Sequence, residues 1–131
     1  MTLQNEFNAK SVLIIGHTGF KGAWLTAWLK QLGAKVVGIA LNPPTEPSHF
    51  DAAQLVEGMV DLRIDICNQV DLEEAIILTQ PDFVFHLAAQ ALVRRSYDDP
   101  LETWKTNVLG TLHVLEALRK LDKPCAAVII T

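Results

Sequence analysis

Positive charge is in short supply in this sequence. Its 131 residues carry 11 Lys and Arg against 15 Asp and Glu, a formal net charge of −4. That balance leaves no basic face for nucleic acid or an anionic membrane. Cysteine is scarce as well. Cys67 and Cys125 lie far apart and fit no CxxC spacing, so they read as small apolar residues in a reducing compartment rather than a disulfide or a metal site. His49 and His113 are distant in sequence and share no ligand spacing, which argues against a metal centre. No apolar run approaches the ~18 residues of a membrane span, and the polar start, residues 1–10, lacks the basic-then-apolar order of a secretion signal. These absences predict a soluble, cytoplasmic chain with neither nucleic acid nor membrane as partner. What is plentiful is apolar: 50% of the residues are hydrophobic and 20% charged, enough to bury one domain's core.

Apolar runs and helical patterns alternate along the chain. Residues 11–15 form a short β-branched run, as in a strand covered on both faces. Phe20, Ala23, Trp24, Ala27, Trp28 and Leu32 recur at helical spacing, and Gly33 supplies a stop. Residues 35–40 read as a second strand, and the prolines of 42–48 as a surface loop. Residues 58–63 read as a weaker third strand. Asn68, with Asp71 three places on, starts a helix to about Thr79, and Pro81 ends it. Residues 82–86 make a fourth strand. Asp99, Pro100 and Glu102 form a strong helix start, predicting one helix to about Leu121. Its stripe of Leu101, Trp104, Val108, Leu112, Leu115 and Leu118 is expected to face mostly the core. Residues 126–131 read as a buried fifth strand.

Alternating strands and helices predict a Rossmann-type, doubly wound parallel sheet of five strands in an α/β/α sandwich with right-handed crossovers. Residues 1–131 then form one dinucleotide-binding domain. A buried strand at the very end reads as truncation, so the chain is expected to be the N-terminal portion of a longer enzyme.

The chemistry concentrates between the first strand and the first helix. Gly16, Gly19 and Gly22 are spaced GxxGxxG, a variant of the dinucleotide fingerprint. The first glycine allows a tight turn, the second a close backbone approach to pyrophosphate, and the third close packing of helix on strand. The helix N-terminus offers free N–H groups to phosphates. No GK[ST] follows, so this is not a Walker loop. The competing reading is a glycine-rich turn that serves packing alone. His17 and Thr18 are expected to contribute backbone contacts, and Lys21 either approaches a phosphate or stays solvated. The acid that usually binds ribose about 20 residues further on is missing, for residues 38–42 offer neither carboxylate nor guanidinium. With no guanidinium cluster nearby, NAD is favoured over NADP. Asp65 follows the third strand and can accept a hydrogen bond from an adenine amino group while Ile66 lines the ring; a solvated surface Asp is the alternative. His86, at the end of the fourth strand, reads as a buried structural histidine rather than a functional one.

The run His86–Gln90 (HLAAQ), then Arg95-Ser96, then Thr106, Asn107, Gly110 and Thr111, together with the glycine loop and Asp65-Ile66, resembles the extended short-chain dehydrogenase/reductase family. The similarity runs from about Lys10 to the end and falls in the sugar-nucleotide branch. Residues 16–24 and 40–45 are most similar to the CDP-glucose 4,6-dehydratase subgroup. The resemblance implies NAD as cofactor. It implies that Gly16, Gly19, Phe20 and Gly22 hold the pyrophosphate, and Asp65 and Ile66 the adenine. Leu87, Ala88 and Ala89, with Gln90 after them, would pass beside the nicotinamide ribose, with Thr106 nearby, while Asn107 steadies the fourth-strand region. Related thymidine-diphosphoglucose dehydratases carry Glu-Ser where this chain has Gln90-Ala91, so a sugar-contacting hydroxyl is lost. Arg95 is implied either at the substrate entrance or in a surface salt bridge.

The implied substrate is CDP-glucose, oxidised at C4, dehydrated across C5–C6 and given back the same hydride at C6, a lyase reaction of deoxysugar and lipopolysaccharide biosynthesis. The resemblance also implies a homodimer or higher homo-oligomer built on the long helix. The family's catalytic Ser/Thr-acid pair and Tyr-x-x-x-Lys are expected beyond this chain: Tyr97 is followed four places on by Leu101, and Thr131 stands one place before the expected hydroxyl. No catalytic residue is therefore assigned here, and the chain alone is expected to be inactive. A related sugar-nucleotide epimerase and a non-catalytic dinucleotide-binding module are the alternatives.

Overall fold

In the computed structural model, which describes residues 2–130, the five strands form one parallel sheet in the order β3-β2-β1-β4-β5. They are β1 (Ser11–Ile15), β2 (Lys35–Ala40), β3 (Val60–Arg63), β4 (Phe83–His86) and β5 (Ala126–Ile129). Val12 on β1 lies opposite Val36 on one side and Phe83 on the other. β1 is thus the central strand, and its β-branched run follows from burial on both faces. The order reverses direction between β1 and β4, and that crevice is where open α/β sheets bind ligands.

Alternate residues of β1 feed two cores. Leu13 and Ile15 join Ile39 and Val84 beneath Leu72 and Ile76 of helix α4 (Gln69–Thr79) and Val114 and Ala117 of α7 (Thr111–Leu118). Val12 and Ile14 join Val36 and Leu29, the latter from α2 (Phe20–Gln31). Phe7 of a short helix α1 (Leu3–Phe7) closes that side against Phe83, ring centroids 4.9 Å apart. Each fully buried Leu or Ile contributes about 1.5–3 kcal/mol. The result is the three-layer architecture expected, and no described helix is long and apolar enough to cross a membrane.

Several local expectations hold by the chemistry that prompted them. Gly33, at φ +83°, ends α2; Asn68 Oδ1 accepts the Asp71 amide, and Asp99 Oδ1 that of Glu102. Others are corrected. β3 begins at Val60 rather than Gly58, because Gly58 sits at φ +71° in a turn. Ser48 caps a short helix α3 (His49–Ala52), and α5 (Val93–Asp98) precedes the expected helix. That helix is not one regular element: α6 (Pro100–Trp104) passes through a π-helical segment, Lys105–Gly110, into α7.

Its apolar stripe is also not core-facing. Leu101, Trp104, Val108, Leu112 and Leu115 are exposed, and only Leu118 packs on the core. The buried side is Gly110, Val114 and Ala117; the helix carries two apolar faces, and spacing alone does not say which one meets the sheet. On α2, likewise, Gly22, Ala23, Thr26 and Leu29 are buried while Phe20, Trp24 and Trp28 are exposed. β5 is an edge strand with Ala126–Val128 exposed, not a buried one. Thr131, placed by sequence before a catalytic hydroxyl, lies outside the described residues.

Candidate functional site

The carboxyl ends of β1, β2, β3 and β4 open onto one cavity of about 300 Å³. Its walls come from the glycine loop after β1 (Gly16, Thr18, Gly19), the end of β2 (Ala40, Leu41, Asn42, Pro44) and the turn after β3 (Ile64, Asp65, Ile66). Leu87, Ala88, Ala89 and Gln90 close it after β4, with Arg95, Glu102 and Thr106 at the helical side.

The three loop glycines differ in what their surroundings demand. Gly16 has φ +99°, and a Cβ there would lie 2.7 Å from the Ala88 amide nitrogen. It therefore serves both the turn and the close approach of the β4 extension. A Cβ on Gly22 would lie 2.0 Å from the Gly16 carbonyl oxygen, so this glycine lets α2 pack on the loop. Gly19 is different. A Cβ there would meet only the Gly16 oxygen, at 3.5 Å, an ordinary contact. Packing within the chain does not demand glycine at that position, which stands at the cavity side of the α2 N-terminus.

The turn after β3 is held from outside. Asp65 Oδ1 accepts the Cys67 amide at 2.8 Å, leaving Oδ2 without a partner among the described residues. A Cβ on Gly110 would fall 2.5 Å from Ile66 Cδ1, so the π-helical segment makes room for Ile66. His113 Nδ1–H donates to the Ile66 carbonyl at 2.8 Å; a carbonyl can only accept, which fixes the tautomer. Cys67 Sγ approaches Thr106 Oγ1 at 4.0 Å, and burial pushes its thiol pKa up.

Across the cavity, Asn107 brackets the backbone of Gln90: its Oδ1 accepts the Gln90 amide at 2.7 Å and its Nδ2 donates to the Gln90 carbonyl at 3.0 Å. The Gln90 side chain is itself engaged, accepting the Leu92 amide and donating to Thr103 Oγ1. His86 is buried, with Nε2 3.0 Å from Thr111 Oγ1. Thr111 spends its own proton on the Asn107 carbonyl, so His86 must be the donor and its Nδ1 is left unpartnered. Burial lowers its pKa, and the ring is a structural tie between β4 and α7.

Gly16, Thr18, Gly19, Asp65, Ile66, Leu87, Ala88, Ala89, Gln90 and Thr106 thus meet at one cavity, as the sequence suggests. Phe20 and Lys21 point off the first turn of α2 and do not line it; Gly22 lies behind the loop. The His17 ring turns away into the sheet, buried in the space Gly38 leaves; a Cβ on Gly38 would fall 2.4 Å from its Cγ. Its Nε2–H donates to Asp61 Oδ1 at 2.6 Å, and burial nonetheless lowers its pKa. Arg95 lines the cavity and forms no salt bridge among the described residues. Tyr97 is exposed on α5 and lies outside the lining.

One sequence-based statement is corrected: a guanidinium does reach the end of β2. Arg63, from β3, donates through Nη1 to the Leu41 carbonyl at 2.8 Å. Parallel pairing of β2 with β3 brings it there, which a search along residues 38–42 cannot find. The strand glycine Gly38 was a sign only of the His17 ring, which fills the space beside it.

Comparison with known proteins agrees with this geometry. Residues 13–130 match the GDP-mannose 4,6 dehydratase family. The CDP-glucose 4,6-dehydratase of Salmonella typhimurium is 45% identical over 128 residues, 98% of this chain and 36% of that protein. A probable dTDP-glucose 4,6-dehydratase of Sinorhizobium fredii is 36% identical over 83% of this chain and 31% of its own length. Among solved structures, the UDP-glucose 4-epimerase of Brucella ovis in complex with NAD superposes with a TM-score of 0.72 at 32% identity, covering 85% of this chain and 32% of that one. The chain therefore spans about a third of the length of these proteins.

Proposed function

Because this chain belongs to the GDP-mannose 4,6 dehydratase family, within the extended short-chain dehydrogenase/reductase group of sugar-nucleotide dehydratases and epimerases, we propose that it is the cofactor-binding part of an NAD-dependent CDP-glucose 4,6-dehydratase. The observation that carries the cofactor half is Gly19, a glycine that chain packing does not require, at the cavity end of α2. The lining of the cavity supports a dinucleotide as its ligand. Gly16 and Gly19 clear a path for pyrophosphate, the unpartnered Asp65 Oδ2 accepts from an adenine amino group, and Leu87–Ala89 offer a smooth wall to the nicotinamide ribose. Thr106 bounds the middle of the cavity. NAD bound there supplies a hydride acceptor and donor in one turnover.

The substrate half rests on the 45% identity to the Salmonella enzyme. CDP-glucose is converted to CDP-4-keto-6-deoxyglucose and water, with no net redox change. The exposed apolar stripe on α6 and α7 supports a homodimer built on that face; a monomer in sedimentation contradicts that assembly. The epimerase reading is favoured by the NAD-bound Brucella ovis structure.

The natural-length protein, incubated with CDP-glucose carrying deuterium at C4, separates the readings by mass spectrometry and NMR of the recovered nucleotide sugar. Loss of one water with deuterium retained at C6 supports the dehydratase. An isomer of unchanged mass indicates an epimerase. No turnover of any nucleotide sugar, with NAD still bound, indicates a non-catalytic module.

A further inference from the structure

The end of β2 is the point where a dinucleotide domain meets the 2′-substituent of the adenine ribose; a hydroxyl there calls for an acceptor and a phosphate for a guanidinium. Here the Leu41 carbonyl receives two donors, Thr18 Oγ1 at 2.9 Å and Arg63 Nη1 at 2.8 Å. The other arm of Arg63 reaches Asp61 Oδ2 at 2.9 Å. Asp61 Oδ1 accepts from His17 at 2.6 Å, and His17 and Thr18 are neighbours in the glycine loop. A closed circuit of side chains therefore ties the loop to β3, β3 to the end of β2, and β2 back to the loop. The Arg63 guanidinium also lies over the Phe50 ring, 5.5 Å from its centroid.

The consequence concerns charge. Arg63 stands behind the Leu41 carbonyl rather than in the cavity lining, and its guanidinium is committed, since its carboxylate partner makes a charge-assisted bond to it. A 2′-phosphate, with its ~1.5–2 negative charges, would have to draw Arg63 from Asp61 and then sit beside an uncompensated carboxylate. A 2′-hydroxyl asks for neither. Resting on the dinucleotide reading above, we propose that Asp61 is a specificity-determining residue. By holding Arg63 against the sheet it makes the cavity select the dinucleotide with a free 2′-hydroxyl over the 2′-phosphorylated one.

The test is calorimetric binding of NAD and of NADP to the natural-length protein and to Asp61→Asn, Arg63→Gln and the double variant, with thermal unfolding run alongside. Asp61→Asn keeps an acceptor for His17 while removing the charge that holds Arg63. The wild type should prefer NAD. In Asp61→Asn the preference should shrink by about tenfold or more through tighter NADP binding, since the freed Arg63 guanidinium can then pair with the phosphate. The double variant should lose the gain. An unchanged ratio in Asp61→Asn, or the same gain without Arg63, overturns the proposal. Should Asp61→Asn not fold, Arg63→Gln alone decides: it leaves Asp61 uncompensated and should weaken NADP while sparing NAD, and equal effects on the two overturn the proposal. A wild type that binds neither dinucleotide overturns the cofactor reading as well; one that binds NAD, with a ratio these variants do not move, overturns only this inference.

Discussion

The cavity has two sides built on different principles. At the β1–α2 junction, position is set by backbone: Gly16 and Gly22 are needed because Ala88 nitrogen and Gly16 oxygen stand where a Cβ would be. At the β4–α6 junction, position is set by side chains reaching across the fold: Asn107 to Gln90, Gln90 to Thr103, His86 to Thr111. The first side is encoded locally and tolerates almost nothing. The second is spread over residues 86–111 and should fail by degrees.

The largest break should come at Gly22. A Cβ 2.0 Å from a backbone oxygen has no flexible neighbour to displace, so Gly22→Ala should cost about 3 kcal/mol or more, seen as a lower midpoint in urea denaturation. A loss under about 1 kcal/mol would mean that the loop is not locked as described. Asn107→Ala should cost less, about 2 kcal/mol, because it strips the partners from both the N–H and the C=O of partly buried Gln90. Hydrogen exchange should speed up at the Gln90 amide while amides in β1 stay protected. Uniform loss of protection would erase the contrast between the two sides.

The two buried histidines make a smaller distinction, read through pH. Burial lowers the pKa of both His17 and His86, so the unfolded chain binds more protons than the folded one once pH falls below the ordinary value of about 6.5. Stability should be flat above that pH and fall below it, by at most about 1.4 kcal/mol per pH unit for each histidine. The check is the urea midpoint measured at descending pH in the wild type and in His86→Gln, where the slope should be shallower. Equal slopes would remove His86 from the account.

The same division explains what was legible in the sequence. The strand, glycine loop and helix start of residues 11–22 are contiguous, so their periodicity and spacing predicted the strand, turn and helix that the structure places there. To place Asp65 at the cavity needed the family resemblance, because a carboxylate after a strand has many uses. Arg63 at the end of β2 and His17 beneath Gly38 were hidden, for each depends on which strands are neighbours, and pairing register is not written in any one segment. The π-helical segment at Lys105–Gly110 was hidden for a related reason: a good helix start and an unbroken apolar period look alike whether a wide turn intervenes or not. Nor could the stripe from Leu101 to Leu115 declare its direction, since burial is a property of the partner surface.

Gly19 offers the most direct test of the central claim, that this cavity is shaped for a dinucleotide. As the N-cap of α2 with only an ordinary contact at 3.5 Å in store for a methyl group, Gly19→Ala should cost stability less than about 1 kcal/mol. Calorimetric titration of NAD into the natural-length protein and this variant should show saturable binding in the first and a loss of about tenfold or more in the second, with the fold intact. Equal affinity in the two proteins, or no binding to the wild type, would contradict the account.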